Sequence, residues 1–337
     1  MRTPSSLILF IIVGAAAVTA AQSQEGFRFK SGVEFVNVTA TVTDTSGRFV
    51  PGLRQEDFTV YEDGQVQEVS HFSSDRVPVS LGIALDASGS MTPEKLASAR
   101  AAIDRLIFKL LAQDDELFFV EFATRAEVTQ GWTTDRQLIS RALRNVDPIG
   151  ATALYDAVAQ SIPLAEEGRN QKKALLVISD GNDTNSTLDV GQVRRLIRES
   201  EVMVYALGVD ATRDTPRVAQ PPVQFPPNLP FPFPGSGGRR QPRYPGGGST
   251  TWPRSPGERV NAEALRQITD DTGGRTEIVR GFENLDAATS RIADELSMQY
   301  FLGYNSPVTK DGRWHSIRVA VRDRNLTVRA RKGYVAS

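Results

Sequence analysis

The sequence contains no cysteine among its 337 residues and only two histidines, His71 and His315. The lack of cysteine excludes disulfide scaffolds, thiolate metal centres and thiol nucleophiles. Two imidazoles are also too few for a histidine-rich metal site. Any metal ion bound by this chain must therefore be held by oxygen atoms.

Neither sign of charge is in excess. The chain has 39 Lys and Arg against 40 Asp and Glu, a net charge of -1 at pH 7, and no long basic run. A protein that binds nucleic acid through bulk charge needs a basic surplus, so the balance argues against a nucleic-acid partner. The 40% hydrophobic content is typical of globular proteins, and the length allows about two domains.

Long hydrophobic runs are also missing. The apolar run at residues 7–18 is too short to span a bilayer comfortably, and no later stretch is apolar enough to cross a membrane. A basic residue precedes this run and small residues follow it, which predicts a signal peptide over residues 1–21 with cleavage near Ala20 or Ala21. An uncleaved anchor is the alternative. With cleavage, we expect a secreted or periplasmic protein without a membrane span.

The two ends of the mature chain have the alternating patterns of β-strands. In residues 27–76, valine and alanine alternate with threonine and asparagine, and Asp63-Gly64 between two such runs predicts a hairpin. Residues 299–337 predict three more strands. Each segment is too small for a stable core, so we expect both to form one sandwich-like β domain.

The intervening residues 77–298 alternate apolar strands with helical segments, as in an α/β domain. Six strands are predicted, and near-continuous apolar runs indicate a doubly wound, mostly parallel sheet covered on both faces. Thr92 and Pro93 have the residue types of a helix start. Residues 211–258 hold 12 of the 19 prolines and six arginines. We interpret them as a disordered insertion, either an inert linker or an arm that leaves the sheet beside the candidate site.

Oxygen-bearing side chains follow two of the predicted strands and precede one predicted helix. The sequence Asp86-Ala87-Ser88-Gly89-Ser90 comes after the first α/β strand, Thr152 comes before a helix, and Asp180 follows another strand. Ligand sites of open α/β sheets lie at the carboxyl ends of the strands. Two carboxylates and three hydroxyls suit Mg²⁺ or Mn²⁺, with Ca²⁺ as a further candidate. Neutral hydroxyl ligands would leave such a cation seeking an anionic oxygen from outside.

In this order, the motif, Thr152 and Asp180 resemble the metal-ion-dependent adhesion site (MIDAS) of the von Willebrand factor type A domain. The resemblance covers residues 77–298 without the insertion. More narrowly, the chain looks like bacterial VWFA-related domain proteins, which carry a β segment like residues 53–72 and end in one like residues 302–334. The family often has Gly-Gly-Thr where Gly150-Ala151-Thr152 stands here, and Ala151 makes this loop slightly stiffer.

The resemblance implies that Ser88, Ser90 and, with ligand bound, Thr152 touch the metal directly, whereas Asp86 and Asp180 act mainly through water. It also implies a non-enzymatic, adhesion-type module that binds a protein or peptide presenting a carboxylate. The alternatives are a structural envelope protein with a stabilising metal and, less favoured, a metal-dependent hydrolase.

Two further residues have open roles. Asp183 is interpreted as a solvated loop residue, with support of the metal site as the alternative, and His315 as a surface pair with Trp314.

Overall fold

The computed structural model describes residues 34–210, 260–280, 284–308 and 310–336. The predicted signal peptide and the proline-rich insertion lie outside these residues. The strands are β1 Glu34–Thr43, β2 Phe58–Glu62, β3 Gln65–Gln67, β4 Val69–Ser73, β5 Val79–Asp86, β6 Glu116–Phe122, β7 Ala126–Thr133, β8 Lys172–Ser179, β9 Met203–Asp210, β10 Thr276–Arg280, β11 Tyr300–Ser306, β12 Trp314–Val321, β13 Thr327–Ala330 and β14 Gly333–Val335.

The helices are α1 Pro93–Arg105, α2 Arg136–Arg144, α3 Leu154–Glu166, α4 Val190–Glu199, α5 Ala262–Thr269 and α6 Leu285–Ser297. A π-helical turn, Leu106–Leu110, directly continues α1, and a short 3₁₀ turn covers Gln55–Asp57. None of the helices in the described residues is both long enough and apolar enough to cross a bilayer.

Six strands form the central sheet in the order β10-β9-β8-β5-β6-β7. All neighbours are parallel except the edge strand β7, which runs antiparallel to β6. This confirms the predicted mostly parallel α/β sheet. All eight residues of β5 are buried, because helices cover both faces of the sheet.

The two faces of the sheet have separate hydrophobic cores. On one face, Ile83 and Leu85 pack with apolar residues of α1, α2 and α6. On the other face, Ala84 and Phe118 pack with α3, α4 and α5. Successive strand residues point to opposite faces, and each therefore joins a different core.

The N- and C-terminal segments pair with each other in two antiparallel sheets. One has the order β13-β1-β11-β4 and the other β14-β12-β2-β3. Val38 on β1 lies opposite Leu302 on β11, and Val60 on β2 lies opposite Val319 on β12. Buried residues of both sheets share a third core. We call these eight strands the β unit. The division of the chain at residues 76/77 and 298/299 remains a prediction.

The predicted hairpin at Asp63-Gly64 is present, with both residues at positive φ, 48° and 81°. Strand β14, Gly333–Val335, was not predicted, since three residues are too few for an alternating pattern. His315 also differs from the interpretation as a surface residue, because it is only 8% exposed. Its ring contacts Asp63 Oδ2 through Nδ1 at 2.7 Å and Asp311 Oδ1 through Nε2 at 3.2 Å.

The β unit contacts the amino-terminal edge of the central sheet through charged side chains. Glu295 near the end of α6 accepts hydrogen bonds from Arg275, at 2.7 Å, and from Arg329 on β13. Gly273 has φ +83°, and a Cβ there would lie 2.6 Å from the backbone of Ala330. Only glycine permits this close approach of the two backbones.

Candidate metal site

The first loop of the site follows strand β5. Asp86 ends the strand and is completely buried. Its Oδ1 accepts a hydrogen bond from the Ser88 N–H at 2.9 Å, and its Oδ2 accepts one from the Ser179 hydroxyl at 2.5 Å. Burial raises the pKa of Asp86 to about 6, against the opposing effect of these two hydrogen bonds. The carboxylate is thus desolvated and directed by protein donors.

The two serines of the motif lie side by side. The Ser88 and Ser90 hydroxyl oxygens are 3.0 Å apart, and Ser88 is completely buried while Ser90 is half-buried. The chain then enters α1 at Thr92, whose hydroxyl accepts the Lys95 N–H as the predicted N-cap. The turn therefore presents two neighbouring hydroxyl oxygens immediately before the helix.

The second loop is bound to the first by backbone hydrogen bonds. Gly89 N–H donates to Gly150 O at 2.9 Å, and Ile149 N–H donates to Ala87 O at 2.8 Å. Gly150 has φ +93°, and a Cβ there would lie 2.6 Å from the Thr124 hydroxyl. The positive φ and the lack of space for a side chain therefore require glycine at this position.

Thr152 is buried and fixed by the third loop. Its N–H donates to the Thr184 hydroxyl at 3.0 Å, and its carbonyl accepts the N–H groups of Thr184 and Asn185, each at 2.9 Å. The three loops that carry the predicted ligands are thus joined through their backbones at one edge of the sheet.

The third loop begins at Asp180, directly after β8. Asp180 is completely buried, and its Oδ1 accepts the Asn182 N–H at 3.2 Å. Its Oδ2 accepts a hydrogen bond from Lys95 Nζ at 3.0 Å. Lys95 also donates to Ser90 O at 3.0 Å and is only 3% exposed. An ammonium group therefore lies among the predicted ligands.

Lys95 and Ser179 were not predicted as part of the site. For Lys95, a signal was present in the helical period: it is one turn before Ala99 and two turns before Ala102, both buried. A lysine at such a position either extends to solvent or has a buried partner. In this structure Lys95 has a buried partner, Asp180.

Asp183 is not a solvated loop residue. Its Oδ1 accepts the Leu154 N–H at 2.8 Å and the Ser186 hydroxyl at 2.5 Å. The carboxylate therefore satisfies a free amide at the start of α3 and connects the third loop to that helix.

The donor set suits a hard divalent cation. The side chains of Asp86, Ser88, Ser90, Thr152 and Asp180 offer only oxygen. No three His, Cys, Asp or Glu side chains gather as a metal cluster anywhere in the described residues, so a cation at this edge depends on hydroxyl oxygens as well as the two carboxylates.

A comparison with known families matches part of the α/β domain. Residues 81–182 match the family model of the von Willebrand factor type A domain. This segment contains the first loop, the second loop and Asp180. No curated protein matches the sequence.

Many solved structures are distantly similar to this chain, and three of them illustrate the range. BatB from Bacteroides thetaiotaomicron is 21% identical, with 64% of this chain and 98% of that chain covered and a TM-score of 0.44. A von Willebrand factor type A protein from Catenulispora acidiphila is 14% identical, with 91% and 75% covered and a TM-score of 0.47. Proximal thread matrix protein 1 from the mussel byssus, with a zinc-occupied MIDAS motif, is 16% identical, with 70% and 49% covered and a TM-score of 0.46.

Proposed function

This chain contains a von Willebrand factor type A domain, and we propose that the domain captures an acidic side chain of a protein or peptide partner through a divalent cation. Asp86, Ser88, Ser90, Thr152 and Asp180 would hold the ion, Mg²⁺ or Mn²⁺. The bound cation would supply an open coordination position for a carboxylate oxygen of the partner.

The observation that carries this proposal is the joining of three oxygen-bearing loops at the carboxyl edge of the sheet. The Gly89–Gly150 hydrogen bond connects the first two loops, and the bonds of Thr152 connect the second and third. Ser88 and Ser90 place their hydroxyl oxygens 3.0 Å apart beside this junction. Loops fixed in this way need little rearrangement to bind a ligand, which lowers the entropic cost of binding.

Capture of a partner explains the site better than hydrolysis. A general base must be able to accept a proton from water beside the cation. Asp86 is directed by Ser88 and Ser179, and Asp180 is paired with the Lys95 ammonium. Both carboxylates therefore already serve the architecture of the site.

We further propose that the protein acts outside the cytoplasm, exported by the segment at residues 1–21. In this proposal the β unit, from residues 27–76 and 299–337, carries the inserted domain of residues 77–298. The pairing of β1 with β11 and of β2 with β12 supports this arrangement.

The test uses matched peptides that differ only by Glu or Gln at the centre. We expect the wild-type protein to retain glutamate peptides in the presence of Mg²⁺, and to lose them with EDTA or with the glutamine version. Asp86→Ala should abolish the retention. Asp114→Ala is the matched control, because Asp114 is an exposed aspartate near the opposite edge of the sheet.

Two results would contradict the proposal. If Mg²⁺ raises the melting temperature but peptide retention does not depend on the carboxylate, the ion only stabilises the fold, as in the structural-envelope alternative. If neither melting nor retention responds to the cation, the site does not bind one.

A further inference from the structure

One positive charge is built into the proposed site. Lys95 Nζ lies 3.0 Å from Asp180 Oδ2 and 3.0 Å from Ser90 O. The ammonium group therefore contacts the side chain of one proposed ligand, Asp180, and the backbone of another, Ser90. Both ends of the Lys95–Asp180 pair are removed from water, with side-chain exposures of 3% and 0%.

The burial of Lys95 follows from its position on α1. The first two turns pack Leu96 and Ala99 into the core beneath the sheet, and the buried face includes Lys95. A buried ammonium loses several kcal/mol of hydration free energy unless it is paired and hydrogen-bonded. Asp180 and Ser90 O supply these contacts, and the pair thereby ties α1 to the third loop.

We propose that Lys95 competes with the divalent cation for Asp180, and that this competition makes cation binding depend on the partner's carboxylate. The inference rests on the proposed function, since it concerns the same site. Lys95 compensates part of the negative charge, which weakens the affinity for a cation alone.

The charges at the site show why the partner matters. Two carboxylates and one ammonium leave the site with a single negative charge, too little to neutralise a divalent ion. The loaded site then carries one positive charge, which one carboxylate of a partner neutralises. By linkage, cation and carboxylate then strengthen each other's binding. With methionine in place of Lys95, the two aspartates alone balance the ion, and this mutual dependence weakens.

Calorimetric titration with Mn²⁺ alone tests the competition in three proteins: wild type, Lys95→Met and Lys109→Met. Lys109 is an exposed lysine in the π-helical turn that follows the same helix, so its replacement causes the same change in net charge away from the site. We expect Lys95→Met to bind Mn²⁺ roughly tenfold more tightly than wild type, the factor for removing about 1.4 kcal/mol of repulsion. Lys109→Met should match wild type.

Thermal melting keeps the proposal testable if Lys95→Met is unstable. Without a cation, this variant leaves Asp180 unpaired, and we expect its melting temperature to fall. Added Mn²⁺ should raise the melting temperature of Lys95→Met by more than it raises the melting temperature of the wild type. If Mn²⁺ fails to restore a destabilised Lys95→Met protein, the competition is refuted.

The outcomes separate this inference from the proposed function. Equal or weaker Mn²⁺ binding by Lys95→Met than by wild type overturns the role of Lys95 and leaves the proposed function standing. Binding by Lys95→Met but not by wild type supports the role of Lys95, and wild type should then bind Mn²⁺ once the glutamate peptide is added; if it still does not, the proposed function is contradicted. Binding by neither protein overturns the role of Lys95, and the retention of glutamate peptides in Mg²⁺ then decides the proposed function separately.

Discussion

The two edges of the central sheet use the same kinds of side chain in opposite ways. At the carboxyl edge, the buried Asp86 is surrounded by hydroxyl and amide donors, and Asp180 has one cationic contact, Lys95. At the amino edge, Glu295 accepts from Arg275 and Arg329. Asp271, in the turn before β10, accepts from Arg194, Arg198 and Lys332.

This difference shows which edge is complete by itself. Glu295 has two basic partners and Asp271 has three, and the C-terminal segment supplies one partner to each, Arg329 and Lys332. At these two acids the amino edge is therefore closed by the chain's own residues. The carboxyl edge gathers acceptors with less compensation, and an added cation has more to gain there. One edge serves assembly, and the other is the edge at which we propose that a ligand binds.

Removing the cover of the amino edge should have the largest effect. A chain ended after Met298 lacks β11 to β14, and so β1 and β2 lose their pairing partners from the C-terminal segment. We expect residues 34–73 to become rapidly cleaved by protease, as identified by mass spectrometry of the fragments. If they stay as resistant as in the full chain, the shared β domain is wrong.

A single charge at the amino edge should cost less. Glu295 is 3% exposed, and Glu295→Gln would leave Arg329 without a carboxylate and Arg275 with Glu277 alone. Breaking a buried ion pair from one side costs about 3–5 kcal/mol, which urea unfolding would measure. The control is Glu56→Gln in the exposed Arg54–Glu56 pair at 3.8 Å, where we expect about 0–1 kcal/mol. A similar loss in both variants would remove the distinction between the buried and exposed pairs.

The carboxyl edge should respond to cations instead. At a Mg²⁺ concentration 100 times its dissociation constant, the free energy of unfolding of the wild type should rise by about 2.7 kcal/mol. Asp86→Asn should lose this gain, while Glu295→Gln should keep it. Denaturant curves with Mg²⁺ and with EDTA measure both. A wild-type protein that unfolds identically in the two buffers would show that the carboxyl edge binds no cation.

The smallest effect concerns pH and the β unit. The hydrogen bond with Asp63 raises the pKa of His315 above 6.5, and the bond with Asp311 adds to the rise. The pKa of Asp63 is lowered below 3.8 chiefly by the same His315 contact. The stabilisation from His315 is therefore complete below pH 6.5 and is lost as pH rises through its raised pKa. The contribution of Asp63 is present above 3.8 and is lost as pH falls through its lowered pKa.

Replacing the imidazole isolates this pH effect. His315→Gln should flatten the stability profile through the neutral range, as followed by thermal melting at a series of pH values. His71 on β4 is exposed, so His71→Gln serves as the control and should keep the wild-type slope. An unchanged slope in His315→Gln would refute the assignment to this contact.

The sequence predicted the elements better than their charged contacts. The apolar runs predicted the central sheet, and Asp63-Gly64 predicted the hairpin, because both depend on local patterns. The pairing of Lys95 with Asp180 joins a helix to a distant loop, and no local pattern specifies such a contact. For His315, the alternation with Ile317 and Val319 already favoured an inward position, but two acidic partners from elsewhere in the fold were needed to explain it.

The pairing of β1 with β11 also sets the order in which the chain can fold. Strand β1 is synthesised first, yet its central partner comes only after the whole α/β domain has left the ribosome. Closing so long a loop before the intervening domain has folded has a high entropic cost. We therefore expect the α/β domain to fold first and to bring its two ends together at the amino edge. The β unit would then form last. Until β11 and β12 are available, the unpaired edges of β1 and β2 must avoid pairing with strands of other chains.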